Sequence, residues 1–275
     1  MAIEKFADQA SESFTMPEVC VKLRAMLDDG KHDLDDIAQL IVVDPNLSAK
    51  VLRLANSALF RFPSQISSVT KAISVIGGEA LYNIVMAETA SLAFKHFDSQ
   101  LVDIERHWHN SVYCGMAAKH TALILKKRAS DRFFAMGILQ GLADLVIAKN
   151  AADTFRKINH PDAKGLPWQR QQHELGFAFA QCSGAILERW KLPLPLYYPI
   201  AQMHNTARVK QDADVAIMTF AAQLTEYQAN AERYRALKLW EDDTQPALAL
   251  TDEQIESIID STEKDTARVA SMILQ

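Results

Sequence analysis

The sequence contains little glycine. It has 9 glycines among 275 residues, although glycine usually makes up about 7% of a globular chain. No segment shows the sustained alternation of apolar and polar residues that is typical of a half-buried strand. Apolar residues make up 49% of the chain, which is enough to build a core and argues against disorder. These features predict an all-α protein.

Cysteines and long apolar runs are also scarce. Cys20, Cys114 and Cys182 are far apart and form no CxxC pair, which disfavours a disulfide framework or a zinc ribbon. The N-terminus lacks the apolar core of a signal peptide, and no stretch has eighteen uninterrupted apolar residues. We therefore expect a cytoplasmic protein with no membrane partner, and we interpret Cys114 and Cys182 as inert core thiols.

The sequence has no excess of basic over acidic residues and none of the common catalytic motifs. Its net charge is −5, so we expect no nucleic-acid partner. It contains no P-loop, GxGxxG, GxSxG or HExxH motif. His107 and His109 would point to opposite sides of a helix, and His120 would lie about 16 Å beyond His109. We interpret these histidines as solvated or capping residues.

Apolar residues recur at helical spacing along most of the chain. This pattern predicts two packed helical lobes, at about 14–98 and 99–210, joined by a hinge at about 78–100. A C-terminal extension, 211–275, would pack on the second lobe. Its last helix would be capped by Thr251 or Asp252.

Two further stretches carry specific predictions. Residues 131–150 are predicted to form one apolar helix, and 237–252 a loop. Gly141 then falls inside a helix, where glycine costs roughly 1 kcal/mol relative to alanine, and Gln140 lies beside it among apolar neighbours.

Asn56 ends another apolar helix, and we expect it to be buried with its amide bonded to backbone groups.

The stretch DPNLSAKVLRLANSALF resembles the signature of the HDOD domain, the HD-related output domain, and ISSVTKAISVIGGEAL continues the resemblance. The matching positions include Asp44, Pro45, Asn56, Ser57 and Gly77. The resemblance covers about residues 14–210. It implies a bacterial, all-α signal-transduction domain whose second lobe is related to HD-type metal-dependent phosphohydrolases.

Those hydrolases hold metal through histidines, an adjacent His-Asp pair and a later aspartate. The resemblance maps these positions onto Asn110, Gln140, Gly141, Phe179, Met203 and His204, of which only His204 is still a potential ligand. Amides are poor transition-metal ligands and phenylalanine is none. We therefore predict no catalytic residue, no metal site and no cofactor, and we see no remaining reason for glycine at 141.

The same residues should still converge in the second lobe, because packed helices keep their facing positions. Asn110, Gln140 and Phe179 are expected to meet around the former metal site, with His204 at its rim. The two amides could bond to each other or to an ordered water there.

Three functions remain open at this point. We favour a non-catalytic signalling module that binds an unidentified protein partner, with a homodimer as an open possibility. An alternative is a phosphohydrolase acting on a nucleotide or cyclic dinucleotide, whose substitute ligands would include Asp144, His109 and His204. A third is a nucleotide-binding sensor, with Arg189, Lys191 and Arg208 as phosphate-binding candidates.

Overall fold

The structure is a computed structural model that describes residues 2–56, 65–128, 130–234 and 237–273. Ser57 lies outside these residues. The chain is 75% helical, and the described residues contain no strand. The helices are α1 Ile3–Ser13, α2 Glu18–Asp29, α3 Leu34–Val42, α4 Pro45–Ala55, α5 Val69–Ile76, α6 Gly78–His96, α7 Ile104–Ile124, α8 Arg132–Leu139, α9 Leu142–Asn150, α10 Ala152–Ile158, α11 Pro167–Leu175, α12 Phe179–Arg189, α13 Leu194–Gln202, α14 Thr206–Val209, α15 Ala213–Ala229, α16 Ala231–Tyr234, α17 Thr244–Leu248 and α18 Asp252–Ile273.

Aspartates set the starts of two helices in the first lobe. Asp33 forms a capping box with Asp36 at α3. The Asp44 carboxylate accepts hydrogen bonds from the backbone N–H of Asn46 and Leu47, at 2.9 and 3.1 Å, and Pro45 takes the first position of α4. These caps satisfy N–H groups that have no partner inside the helix.

Asn56 connects the end of α4 to the segment before α5. Its Nδ2 donates to the carbonyls of Leu52 and Ile66, each at 2.8 Å. Its Oδ1 accepts from the Ile66 N–H at 2.7 Å. The backbone bonding follows the prediction, but Asn56 is exposed, so the expected burial is wrong. Asn56 lies at the protein surface, where its amide joins the end of α4 to the segment before α5.

Helix α6 lies in the segment predicted as a hinge. It is continuous over 19 residues and most of its side chains are buried. It packs on α2, α4 and α5 on one side and on α8 and α9 on the other. The link between the two halves is therefore a helix in their common core.

The predicted single helix at 131–150 is wrong, because α8 ends at Leu139 and α9 begins at Leu142. Ser183 of α12 lies across this break. Its hydroxyl donates to the Gln140 carbonyl at 2.7 Å and accepts from the Ala143 N–H at 3.0 Å. The hydroxyl thus satisfies two backbone groups that a continuous helix would pair internally.

The stretch Arg132–Asn150 is long and apolar enough to cross a membrane by length and composition alone. However, 78% of it is buried inside the fold. This burial is consistent with the core of a soluble protein.

Helices α1 and α17 are among those that occur where no helix was predicted. Helix α1 precedes the first lobe in sequence but packs on α12 and α9 of the second, with Phe6 only 1% exposed. Helix α17 lies within the predicted loop at 237–252. Its start is stabilised by the Asp243 carboxylate, which accepts a hydrogen bond from the Thr244 N–H.

The C-terminal helix α18 packs mainly on α7 and also contacts α4 and α6. Thr251 and Gln254 exchange hydrogen bonds at its start, which identifies Thr251 as the capping residue. Asp265 lies 3.1 Å from the ring of His120 on α7. The helix therefore contacts both halves of the fold.

Candidate functional site

The second lobe encloses a cavity of about 160 Å³. It is bordered by α7, α9, α11, α12 and α15 and by the α8–α9 break. Five of the six positions taken from the HD resemblance line it: Asn110, Gln140, Gly141, Phe179 and His204. The sixth, Met203, is not among the lining residues. It is fully buried, and its carbonyl accepts a hydrogen bond from the Thr219 hydroxyl.

Phe179 is fixed at the start of α12. Its ring stacks on Phe155, with ring centroids 6.0 Å apart and an interplanar angle of 11°. Its N–H donates to the Gln171 side-chain oxygen at 2.8 Å. The Gln171 amide thus covers the N-terminus of this helix, which would otherwise attract an anion. Within the described chain, Asn110 and Gln140 make no hydrogen bond to each other, so that expected pairing is wrong.

Gly141 has a packing reason to be glycine, contrary to the prediction. A Cβ at this position would lie 2.9 Å from Cε1 and 3.0 Å from Nε2 of His107, and 3.1 Å from the Ser111 hydroxyl oxygen. The His107 imidazole therefore occupies the space beside the Gly141 backbone. It also packs on Phe94, with ring centroids 4.9 Å apart.

The His107 side chain is half-buried and its Nε2 is fully buried, so the interpretation of it as solvated or capping is wrong. Its Nε2 is buried without a well-formed hydrogen bond. Burial lowers the pKa of His107 to about 4, against a smaller opposing effect of the Gly141 backbone. The imidazole is consequently neutral near pH 7. His109, two residues later, is exposed.

Two acids line the same cavity. Burial raises the pKa of Asp144 to about 7, and the charge of Glu226 adds to this effect. Burial also raises the pKa of Glu226, although Tyr234 opposes the shift by donating to its carboxylate at 3.0 Å. Asp144 is thus only partly ionised near neutral pH.

His204 lies on the opposite wall. Its ring stacks on Trp168, with ring centroids 4.6 Å apart and an interplanar angle of 9°. Burial lowers its pKa to about 3, so this imidazole is neutral as well. Both histidines of the cavity therefore carry no charge at pH 7.

The cavity does not gather the substitute ligands that were considered from the sequence. Asp144 and His204 line it, but His109 does not. Among the described residues, no three histidine, cysteine, aspartate or glutamate side chains form a group that could hold one metal ion. The three basic residues considered for phosphate binding, Arg189, Lys191 and Arg208, are not among the lining residues either. Arg189 instead pairs with Asp8 of α1 at 2.5 Å.

The family model described as the HDOD domain matches residues 14–206. This chain belongs to the HDOD domain family. The match covers most of the cavity lining, but the wall contributed by α15 lies outside it. Helix α1 and the helices from α15 onward lie outside the match.

Solved structures support the fold of this HDOD domain. An HDOD domain protein with unknown function from Geobacter sulfurreducens has a TM-score of 0.72 and 19% identity, covering 99% of this chain and 98% of that one. A candidate phosphohydrolase from Shewanella amazonensis has a TM-score of 0.74 and 18% identity, covering 98% of both chains. A candidate signal transduction protein from Marinobacter aquaeolei has a TM-score of 0.70 and 20% identity, covering 96% of this chain and 60% of that one. At these identities the likeness shows the fold alone.

One curated relative is an uncharacterized protein of Treponema pallidum. It is 23% identical over 226 residues, which are 78% of this chain and 42% of that protein. The HDOD chain thus spans less than half the length of this relative.

Sequence reasoning missed several residues that line the cavity of this HDOD domain, among them His107, Trp168, Gln171 and Glu226. The signal for His107 was Gly141, since a glycine in an apolar stretch can mark close approach of another group. Glu226 lies on α15, beyond the region covered by the resemblance. No local pattern distinguishes it from a solvated glutamate.

Proposed function

We propose that this HDOD protein is a non-catalytic bacterial signal-transduction module that acts by binding a protein partner. One observation carries the proposal. Of the six positions at which the HD resemblance implies metal ligands, five line a single cavity, where His204 supplies one imidazole and the other four carry two amides, a glycine and a phenyl ring. These groups cannot replace the imidazoles and carboxylates that hold a catalytic divalent ion.

The surroundings of these residues support the proposal. The Phe179 ring is stacked on Phe155, and the His107 ring fills the space in which a side chain at 141 would stand. Asp144 also lines the cavity, and burial raises its pKa to about 7, so it is only partly ionised near neutral pH. The second lobe is therefore packed around the residues that stand at the metal-ligand positions of the HD resemblance.

A partner-binding role is favoured by apolar side chains at the surface of the first lobe. Val42 and Val43, at the end of α3, are 57% and 84% exposed. Val75 of the neighbouring α5 is 37% exposed. Exposed apolar groups of this kind occur at protein interaction sites. A cytoplasmic location, the absence of nucleic-acid and membrane partners, and a homodimer as one form of the partner belong to the same proposal.

A phosphohydrolase is the second candidate. It is favoured by the four titratable side chains that line the cavity: His107, Asp144, His204 and Glu226. Two of these are carboxyl groups, which bind hard metal ions when ionised. The name of the Shewanella relative points in the same direction. A nucleotide sensor without catalysis would need basic groups at the cavity, but no lysine or arginine is among the described residues that line it.

Metal content and phosphodiesterase activity distinguish the first two candidates. The purified protein should contain no stoichiometric manganese, iron or zinc by elemental analysis. It should not hydrolyse bis-p-nitrophenyl phosphate when manganese is supplied. About one ion per chain, removed by a chelator together with activity, would contradict the proposal.

A variant with restored ligands provides the matched control. It combines Asn110→His, Gln140→His and Gly141→Asp with His107→Ala, because the imidazole must be removed to make room at 141. We expect this variant to bind more manganese than the wild type. The same set without His107→Ala should fold less stably, which would show that the former site has been filled.

A further inference from the structure

The cavity of the second lobe is bordered by polar side chains that the fold itself leaves unused. Asn110 comes from α7, Gln140 from the α8–α9 break and Asp144 from α9. Within the described residues, none of these three side chains forms a hydrogen bond or an ion pair with another residue. Polar groups in a protein interior are usually paired, so three unused groups at one cavity indicate a place for a ligand.

These three side chains are within reach of a molecule in the cavity. They are half-buried, and their nitrogen and oxygen atoms retain surface that is accessible to water, unlike Nε2 of His107, which is sealed. A ligand can therefore contact the Asn110 and Gln140 amides and the Asp144 carboxyl group without any rearrangement of the fold.

The formal charges on the wall of the cavity are negative. The described residues that line it include Asp144 and Glu226 but no lysine or arginine. The imidazoles of His107 and His204 are neutral at pH 7, because burial lowers their pKa values to about 4 and about 3. The Gln171 side-chain oxygen already accepts from an N–H group at the start of α12, which leaves this helix end less able to attract an anion. The wall therefore favours a cation over a phosphate or a carboxylate.

The two carboxyl groups differ in their surroundings. Glu226 accepts a hydrogen bond from Tyr234 at 3.0 Å, and the nearby charges of Arg170 and Arg233 favour its ionised form. Asp144 has no such partner, and burial raises its pKa to about 7. Buried charges in proteins are normally paired, so a cation in the cavity would supply the counter-charge that the fold does not give to Asp144.

The size and shape of the cavity restrict the ligand to a small molecule. Its volume is about 160 Å³, close to the roughly 150 Å³ of a protein cavity that holds benzene. One wall includes the stacked rings of Trp168 and His204, whose centroids lie 4.6 Å apart. An aromatic wall favours a flat organic cation, because aromatic rings attract cations and guanidinium groups stack on them.

We propose that this cavity binds a small organic cation with several N–H donors, such as a guanidinium compound. Two of its N–H groups would donate to the Asp144 carboxylate, in the paired arrangement that guanidinium groups form with carboxylates. The remaining N–H groups would donate to the side-chain oxygens of Asn110 and Gln140. The inference goes beyond the partner-binding function, because it gives the signalling module a small-molecule input.

Methylguanidinium and methylurea are a matched pair of probes, because they have nearly the same size and shape but only the first is charged. Binding to the full chain is followed by NMR at the tryptophan indole N–H signals. Trp168 is the one tryptophan among the described residues that line the cavity, and Trp168→Phe identifies its signal. At about pH 8, where Asp144 is mostly ionised, methylguanidinium should shift this signal until it saturates. Methylurea should bind at least about tenfold more weakly, because hydrogen bonds to charged groups are stronger.

Three variants locate the site. Asp144→Asn removes the charge and should weaken methylguanidinium binding by about tenfold or more, while the fold is retained because the carboxyl group has no partner to lose. Gln140→Leu removes one acceptor and should weaken binding by several fold. Asp153→Asn removes the same charge from an almost fully exposed side chain of α10. It is the matched control and should leave the affinity unchanged.

The proposal is overturned if methylguanidinium causes no saturable shift of the Trp168 signal, or if methylurea binds as tightly. It is also overturned if either Asp144→Asn or Gln140→Leu retains wild-type affinity. An equal loss in Asp153→Asn and Asp144→Asn would overturn it as well, since the attraction would then be a general effect of the net charge. None of these outcomes depends on metal content or phosphodiesterase activity, so failure of this proposal is distinguishable from failure of the proposed function.

Discussion

At the scale of single residues, Gly141 and His107 form the contact that most distinguishes this cavity. The φ of Gly141 is −81°, which any residue can adopt, so the constraint on this position comes from the space that the His107 ring and the Ser111 hydroxyl occupy. Gly141→Ala should destabilise the protein by about 1–3 kcal/mol through overpacking. Urea denaturation measures the change in the free energy of unfolding.

The same substitution in a His107→Ala background provides the control. With the imidazole removed, the new methyl group has room, and the remaining cost should be the smaller preference for glycine over alanine at the N-cap of α9. A double-mutant cycle isolates this coupling. An equal cost of Gly141→Ala in both backgrounds would show that the constraint comes from elsewhere.

Asp144 gives a prediction with a defined pH window. Its pKa rises from 3.8 to about 7 in the folded state because burial disfavours the charged form. The folded protein therefore binds this proton more tightly than the unfolded chain does. The stability contributed by the protonated group is complete below about pH 4 and is lost as the pH rises to about 7.

Asp144→Asn should remove this pH-dependent loss of folding stability, because an asparagine side chain does not ionise. The gain in unfolding free energy relative to wild type should increase from about pH 5 to about pH 8, reaching on the order of 1–3 kcal/mol. His107 and His204 have lowered pKa values and act in the opposite direction, but they are present in both proteins and cancel in the difference. A gain that is the same at both pH values would contradict the burial of this carboxyl group.

The sequence predicted some residue-level features and missed others for physical reasons. The backbone bonding of Asn56 followed from its place at a helix end, but its exposure depends on how the neighbouring segments cover it. Spacing showed that His107 and His109 face opposite ways. It could not show which of them faces inward, because that depends on the helices that pack against α7.

At the scale of elements, the break between α8 and α9 was invisible in the local pattern. Residues on both sides are apolar and helical, and the hydroxyl that bridges the break comes from Ser183, 43 residues after Gln140. Helix α1 was missed because it is short and mostly polar, with only Phe6, Ala7 and Ala10 buried. Both the break between α8 and α9 and the presence of α1 depend on tertiary contacts, which a local sequence pattern does not reveal.

Helix α1 should be held by its apolar contact and not by its ion pair. Phe6 is buried and packs edge-on against Phe177, with ring centroids 6.1 Å apart. Phe6→Ala should destabilise the protein by about 3–5 kcal/mol. Asp8→Ala removes the exposed pair with Arg189 and should cost less than about 1 kcal/mol. Denaturant unfolding of both variants compares them, and a larger effect of Asp8→Ala would contradict the packing argument.

At the scale of the whole molecule, the all-α class and the HDOD family could be predicted from periodicity and from the spaced residues around Asp44 and Gly77. The way the ends of the chain join the lobes could not. Helix α1 crosses to the second lobe, α6 is shared, and α18 contacts α4, α6 and α7. These contacts join residues far apart in sequence, where local patterns carry no information.

These shared helices predict that the two lobes unfold in one cooperative transition. The chain offers a probe in each lobe, since Cys20 is buried in the first, and Cys114 and Cys182 are buried in the second. Thiol labelling at increasing urea, read by mass spectrometry, should give the same midpoint at all three cysteines. Coincidence of different probes is the test of a two-state transition.

Ile258→Ala identifies the helix that couples the lobes. Ile258 is fully buried on α18, so its truncation should cost about 2–5 kcal/mol. If α18 stabilises the lobes together, the labelling midpoint of Cys20 should fall as far as those of Cys114 and Cys182. A shift at Cys114 and Cys182 alone would mean that α18 belongs energetically to the second lobe. The first lobe would then fold as a unit of its own.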